Sequence, residues 1–456
     1  MHRAFHVIQR LFLLCFILAV IGILLAGGWL AGLCVLAAAG CMVRRRVTIR
    51  HFTLWLLIGG FLLRVAVILV LNPPIISDFG LLFEASQSLS AGDTSFQQMR
   101  YFSLWAYQSV FVAWQAMFLA VWNNPLMIKI VNALLSAGTV CLLYRLARGH
   151  VRESAAQGAM LMLTAFPFAL TLPTVLTNQV SSAFFLTIGA WLLASRDCTR
   201  LGFWRFPLAG LALQAGNLLR SEGIILMVAA LAYAFFTVLH RPETVKRILC
   251  GMAALLVVYG AVSVGADAVV RASGLNANGT ANGYPGWKFV TGFNFSTSGG
   301  YSTDDWNQLS ATFDESGPTE ATEAVQHELI SERLSAGPRA LLLHAVHKCK
   351  LLWCNDALNW AFGHLQLNDC LTLVYDSIQK MDRLLFYVAL LLAAFGLCRP
   401  CRTSAAYLPL FVVFAAFCAF LLIEVQPRYA YLPQLFLFCG APLGLDRLIG
   451  KEENHA

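Results

Sequence analysis

The chain reads as an all-α polytopic membrane protein with about 12 transmembrane helices, roughly 10–14, and two large extracytoplasmic loops. Three observations predict this class. Only 12% of its 456 residues are charged and 58% are hydrophobic, with a mean hydropathy of +0.67. A soluble chain carries about twice that share of charge, so the excess apolar surface needs lipid. The formal charge of +8 is gathered in short Lys/Arg clusters between apolar runs, which is membrane topology and gives no footprint for nucleic acid. Finally, apolar runs of spanning length recur along the chain.

The first element is an N-terminal hairpin over 1–51. Met1 to Arg10 followed by an apolar run imitates a signal peptide. Apolar character continues from Leu11 to Met42, however, interrupted only by Gly27-Gly28, and no small-residue cleavage site leads into a polar chain. Two short helices near 11–27 and 29–43 fit, their ends held in the cytoplasm by Arg3, Arg10 and Arg44-Arg45-Arg46. A membrane core follows over 52–267, with spans near 52–71, 126–144, 157–173, 179–195, 206–219, 223–239 and 248–267. The C-terminal part, 383–456, adds spans near 383–398, 405–423 and 429–446. The basic clusters at Arg44–Arg50, Arg145–Arg152, Arg196–Arg205, Arg241–Arg247, Arg399–Arg402 and Arg447–Lys451 all fall in the cytoplasm in one orientation and in no other.

That orientation puts two loops outside. The first runs over 72–124. Its second half, Trp105 to Trp122, is apolar enough to span, but spanning would move the Arg145 cluster outside. It is therefore read as a helix in or along the interface, anchored by Trp105, Tyr107, Trp114 and Trp122. The second outer loop, 268–382, opens with a Gly/Asn/Ser/Thr-rich stretch from Ser273 to Thr303. An acidic amphipathic segment, Asp304 to Arg333, follows and is expected to be helical.

Ionisable residues at membrane depth are costly and mark function by default. Four groups stand at the outer ends of helices: Asp78 with Glu84, Arg220 with Glu222, the stretch from His344 to His364 with Lys348, Lys350 and Asp356, and Glu424, Arg428 and Tyr429. Each has a plainer reading. Asp78 could cap a helix starting near Phe79, Arg220 and Glu222 could be a weak surface pair, the Lys348 stretch could snorkel to head groups, and Arg428 could be an ordinary loop charge. Singly these readings hold; four such groups on one side favour a site for an anionic, lipid-borne substrate, since arginine donates bidentate hydrogen bonds to phosphate.

The short motifs point the same way. Ile76-Ser-Asp78-Phe79, Gly92-Asp93, Tyr101-Phe102 and Trp105-Ala-Tyr107-Gln108 resemble the first outer loop of bacterial glycosyltransferases of family 39, relatives of protein O-mannosyltransferases and lipid A aminoarabinose transferases with the GT-C membrane fold. Gly292-Phe-Asn294, Gly299-Gly-Tyr301, Asp304-Asp-Trp306, Lys350 with Trp353, and Glu424-x-Gln-x-Arg428-Tyr429 with Pro433 continue the resemblance. Arg220-Ser-Glu222-Gly223 is similar to an Arg-Pro-Glu-Gly turn of such enzymes, with Ser in place of Pro. Many members carry an Asp-Glu pair in the first outer loop, whereas Phe79 follows Asp78 here.

The resemblance implies inverting transfer of a sugar from a polyprenyl-phosphate carrier to an extracytoplasmic glycan, lipid or protein, in a bacterial plasma membrane. On that reading Asp78 is the general base, Arg220, Lys350 and Arg428 bind the donor phosphate, and Glu84, Glu222, Glu424 and Tyr429 support them. The chain contains no Walker-type loop and no dinucleotide fingerprint. No cofactor is assigned and a divalent cation is left open. His344 and His347 lack a third metal ligand at useful spacing, and Cys398-Arg-Pro-Cys401 is a lone CxxC, too little for zinc. Cys349, Cys354 and Cys370 lie outside and could oxidise, without a pairing the sequence can supply. The rival classes are a lipid-linked sugar flippase or transporter, which would bury its charges near the midplane on repeated broken helices, and a polysaccharide polymerase.

Overall fold

A computed structural model of the chain describes residues 24, 27–314, 317–354, 356–366, 368–398, 401 and 403–449. The first helix of the expected N-terminal hairpin and the Arg399–Arg402 cluster therefore lie largely outside the described residues, among which every regular element is a helix. The membrane-core helices are α1 (Leu30–Arg44), α2 (Phe52–Leu71), α3 (Asp78–Ser90), α4 (Arg100–Leu104), α5 (Gln108–Leu119), α6 (Pro125–Ala147), α7 (Glu153–Thr164), α8 (Pro167–Thr171) and α9 (Gln179–Ala194). There follow α10 (Arg205–Leu219), α11 (Gly223–His240) and α12 (Val245–Ala272). The second large loop holds α13 (Trp287–Gly292), α14 (Thr303–Ser310), α15 (Glu320–Leu334), α16 (Pro338–Trp353) and α17 (Asn359–Phe362). The chain closes with α18 (Asp369–Leu397), α19 (Leu408–Leu422), α20 (Tyr431–Gly440) and α21 (Pro442–Ile449).

Among the described residues, five helices are long and apolar enough to cross a membrane: Phe52–Leu71, Pro125–Ala147, Gly223–His240, Pro242–Ala272 and Ser404–Leu422. At about 1.5 Å per residue, the 20 residues of α2 match a hydrocarbon core of about 30 Å. A sixth crossing is open to the bent pair Glu153–Thr164 and Pro167–Thr174, which turns by 62°. Pro167 causes the break, because it lacks an amide hydrogen and bars the preceding residue from helical geometry. The helices α1, α5 and α9 are apolar but shorter. This is a multi-pass membrane protein; the five helices match the spans expected near 52–71, 126–144, 223–239, 248–267 and 405–423, and the bent pair falls on the one expected near 157–173.

Two elements differ in extent from the sequence reading. The segment expected to start at 383 belongs to a helix that begins at Asp369. Its first turns carry Asp369, Asp376, Lys380 and Asp382, so hydropathy hides them although nothing interrupts the backbone. The acidic segment is two helices, α14 and α15, the second opened by a reciprocal capping box between Thr319 and Thr322. The apolar helix α5 packs on α3 and not as a long independent rod. The bundle is built by α9 on α10, α10 on α12, α2 on α6 and α11 on α19.

Candidate functional site

One end of the bundle, where α2 finishes and α6 begins, gathers the polar residues singled out above. Asp78 opens α3 and is exposed. The residue before it, Ser77, has φ +58° and ψ −148°, a conformation that costs a non-glycine residue of order 1–3 kcal/mol. Asn72, at the other end of the same segment, also has positive φ. The segment between them is gripped by α6. Lys129, 2% exposed, donates from Nζ to Asn72 Oδ1 at 2.8 Å and to the Pro73 carbonyl at 2.9 Å, while its neighbour Ile128 packs in one apolar cluster with Phe79.

Asp78 therefore does not serve as a helix cap. Ser77 holds the cap position without a side-chain bond, and the Asp78 carboxylate makes no hydrogen bond or ion pair among the described residues. Its field reaches Arg428, Tyr101 and Tyr301: burial, reinforced by that carboxylate, raises both phenol pKa values. Glu84, about 120° round the same helix, is exposed and joins no partner among the described residues.

The turn between α19 and α20 supplies the centre. Gln426 donates to Glu424 Oε1 at 2.7 Å, Tyr429 donates to the same oxygen at 3.3 Å, and Arg428 Nε donates to Gln426 Oε1 at 2.8 Å. Lys288, from α13, closes an ion pair with Glu424. Burial alone would raise the Glu424 pKa, but Lys288, with Gln426 and Arg428, outweighs it and holds the carboxyl below its ordinary value. The backbone is docked as tightly: Glu424 N donates to the Lys288 carbonyl and Val425 N to the Gly299 carbonyl, each at 2.8 Å. Gly292 permits the approach, since a Cβ there would stand 2.5 Å from the Leu422 carbonyl oxygen. Lys348 fastens the junction, with Nζ on the carbonyls of Gly292, Leu421 and Ile423 at 2.8–3.0 Å.

Arg428 is 9% exposed and stands over the rings of Phe79 and Trp360, at 4.9 and 5.0 Å from their centroids. Burial lowers its pKa, as does Arg220 nearby. No carboxylate among the described residues pairs with it. Arg220 differs. It lies over the Tyr429 ring at 4.8 Å, donates to Asn178 Oδ1 at 3.2 Å and is ion-paired with Glu222. Burial opposes its charge, yet Glu222 and the neighbouring phenols of Tyr429 and Tyr107 raise its pKa above the ordinary value.

The structure thus brings Asp78, Arg220, Glu222, Glu424, Arg428 and Tyr429 together. Lys350 is exposed on α16 and makes no ion pair with this group; the lysine in the cluster is Lys288. A sequence signal for it existed, because Lys288 is the sole charge between Arg271 and Asp304. Asn178 and Gln179 had none: they are uncharged, and their roles rest on contacts far along the chain, such as Gln179 Nε2 on the Arg428 carbonyl at 2.6 Å, whereas Gln426, part of the Glu424-x-Gln-x-Arg428 motif, bonds Glu424 and Arg428 two residues to either side. His344 is buried with Nε2 2.9 Å from the Gly292 carbonyl, and among the described residues no three His, Cys, Asp or Glu side chains cluster as metal ligands. Cys349, Cys354 and Cys370 are free thiols, as are Cys398 and Cys401.

Comparison with known proteins gives two matches. The chain is similar over most of its length to the crystal structure of ArnT from Cupriavidus metallidurans bound to undecaprenyl phosphate, at 15% identity and a TM-score of 0.38, covering 86% of this chain and 78% of that one. That overlay is too loose to assign residues. No curated protein sequence matches significantly. Residues 108–264, which run from the start of α5 into α12, match the family model described as dolichyl-phosphate-mannose-protein mannosyltransferase.

Proposed function

We propose that the protein transfers a sugar from a polyprenyl-phosphate carrier to an acceptor on the extracytoplasmic side of the membrane. The observation that carries this reading is the pairing of an unengaged carboxylate, Asp78, with a buried arginine, Arg428, that has no carboxylate partner among the described residues. An unpaired buried cation is costly, and an anion supplied by the substrate would offset that cost. The family matched over residues 108–264 is described by a dolichyl-phosphate-linked sugar, which supports a polyprenyl phosphate as that anion.

In this reading the donor phosphate sits on Arg428, with Arg220 behind it across the Tyr429 ring. Asp78 takes the proton of the acceptor nucleophile as that nucleophile attacks the anomeric carbon from the face opposite the leaving phosphate. The bond from the anomeric carbon to the phosphate oxygen breaks, and the carrier leaves as a phosphomonoester whose growing charge the guanidinium groups stabilise. Glu424, already engaged by Lys288, Gln426 and Tyr429, shapes the turn instead of moving a proton. The sugar, hexose or pentose, is set by groups around Tyr101, Tyr107 and Tyr301. Purified protein in lipid is expected to release polyprenyl phosphate from its sugar-linked form only when envelope extract supplies acceptor. Absent release from any donor, by protein that still binds the carrier, would move the assignment to a flippase or transporter, and acceptor-independent release would make the protein a hydrolase of the carrier-linked sugar.

A further inference from the structure

The opposite end of the bundle holds a second polar site. A cavity of about 430 Å³ opens among the turn after α6, the turn before α10, the end of α11, the start of α12 and the approach to α19. Its wall carries Arg196, Arg205, Arg241, Arg247, His150 and His240, brought from three separate stretches of sequence, with hydroxyl groups between them. None of the four arginines has an ion pair among the described residues. The cations nearest in sequence behave otherwise: Arg145 and Arg148 share Asp197, and Arg152 pairs with Asp446. Glu243 stands in the turn beside Arg241 yet pairs with none of the four.

The cavity is also built to hold its charge in place. Arg205 Nε is buried with no hydrogen-bond partner, its guanidinium lying over the Phe206 ring at 4.8 Å. His150 is fixed on both nitrogens, 3.2 Å from the Ala194 carbonyl and 3.1 Å from Thr403 Oγ1, and burial with Arg196 nearby pushes its pKa down to about 4. The histidine is therefore neutral and adds polar contacts beside the arginines. The residues next in the chain to the lining Arg205, His240 and Ile248 are exposed and apolar: Trp204 is 70% exposed, Leu239 and Leu249 each 62%. An exposed tryptophan beside an arginine at a helix end is the pattern of a membrane–water interface, and basic pockets between membrane helices at that depth suit phosphate head groups.

We propose that this cavity binds a phosphate or phosphodiester anion at the membrane interface, and that its apolar rim selects one carried by an anionic phospholipid. Four arginines with no carboxylate of their own meet the phosphate through bidentate donors, while the acyl chains follow the exposed face of α11 and α12. The site lies at the far end of the bundle from Asp78 and Arg428 and does not depend on the reading of that end.

The test uses delipidated full-length protein and three variants: Arg196→Gln/Arg241→Gln/Arg247→Gln, the single Arg205→Gln, and a control, Arg44→Gln/Arg45→Gln/Arg50→Gln, that removes equal charge from another exposed loop. Phosphatidylglycerol is expected to raise the melting temperature and to be retained in native mass spectra about tenfold better than phosphatidylcholine. The pocket triple and Arg205→Gln should lose that preference, and the control should keep it. Inorganic phosphate, titrated without lipid, should stabilise much more weakly; equal, pocket-dependent stabilisation would assign the anion site to a soluble phosphate and overturn its lipid source. No preference for the anionic lipid, or equal loss in the control and the pocket variants, would overturn the site itself.

Discussion

The two ends of α6 use their cations in opposite ways. At its C-terminal end, Arg145 and Arg148 reach Asp197 through side chains more than a third exposed. At its N-terminal end, Lys129 is buried on the segment leading to Asp78, and beyond it Arg220, Lys288 and Arg428 are packed against one another's partners and over the ring of Tyr429. The first arrangement is solvated topology; screening and side-chain entropy leave each pair worth about 0–1 kcal/mol. The second is preorganised, because low dielectric makes every uncompensated charge expensive. Clustered arginine alone therefore does not mark a site. The charge balance around each guanidinium does.

Replacing Asp78 by Asn breaks this contrast most sharply. Acceptor-dependent release of polyprenyl phosphate should fall by about 10³-fold, within the range for a general base, with carrier binding retained. Next in size is Arg220→Ala, which leaves Glu222 buried and unpaired and should lower stability by about 3–5 kcal/mol. The double change Arg220→Met/Glu222→Met should restore most of that melting temperature, and failure to restore it would mean that Arg220 acts through something other than its pair.

Glu424 provides a smaller, pH-dependent effect. Its folded pKa lies below the ordinary 4.5, so its stabilisation is present above that value and is lost as pH falls through the lower folded value. The wild-type melting temperature should drop on acidification below pH 4.5, and Glu424→Gln, lower at neutral pH, should follow a flatter profile; parallel profiles would contradict the assignment. The smallest effect belongs to the solvated end. Arg148→Ala should cost less than about 1 kcal/mol by thermal unfolding, and a larger loss would erase the distinction between the two ends.

Hydropathy made most of the scaffold legible, including the limits of α2 and the turns that carry Arg220 and Arg428. It could not mark the start of α18, whose first turns are polar, nor the break at Pro167 within an otherwise apolar run. The candidate site was legible as charges that do not belong at helix ends. Which charges meet was not, because pairing is a matter of contact across hundreds of residues. Lys350 and Lys288 look alike as residue types, and only the docking of the loop near Gly292 against Leu421–Val425 puts Lys288 on Glu424.

The central claim is that Arg428, the buried arginine without a carboxylate among the described residues, is the seat of the donor phosphate. The direct measurement is the affinity of undecaprenyl phosphate for the wild type, Arg428→Ala and the charge-neutral double variant Arg220→Met/Glu222→Met, read by titration in detergent. Loss of a charge-assisted phosphate contact worth about 1.5–3 kcal/mol predicts about 10- to 100-fold weaker binding for Arg428→Ala, with a smaller loss in the double variant, because Arg220 stands behind Arg428 and is already paired with Glu222. Unchanged binding in Arg428→Ala, or a larger loss in the double variant, would contradict it.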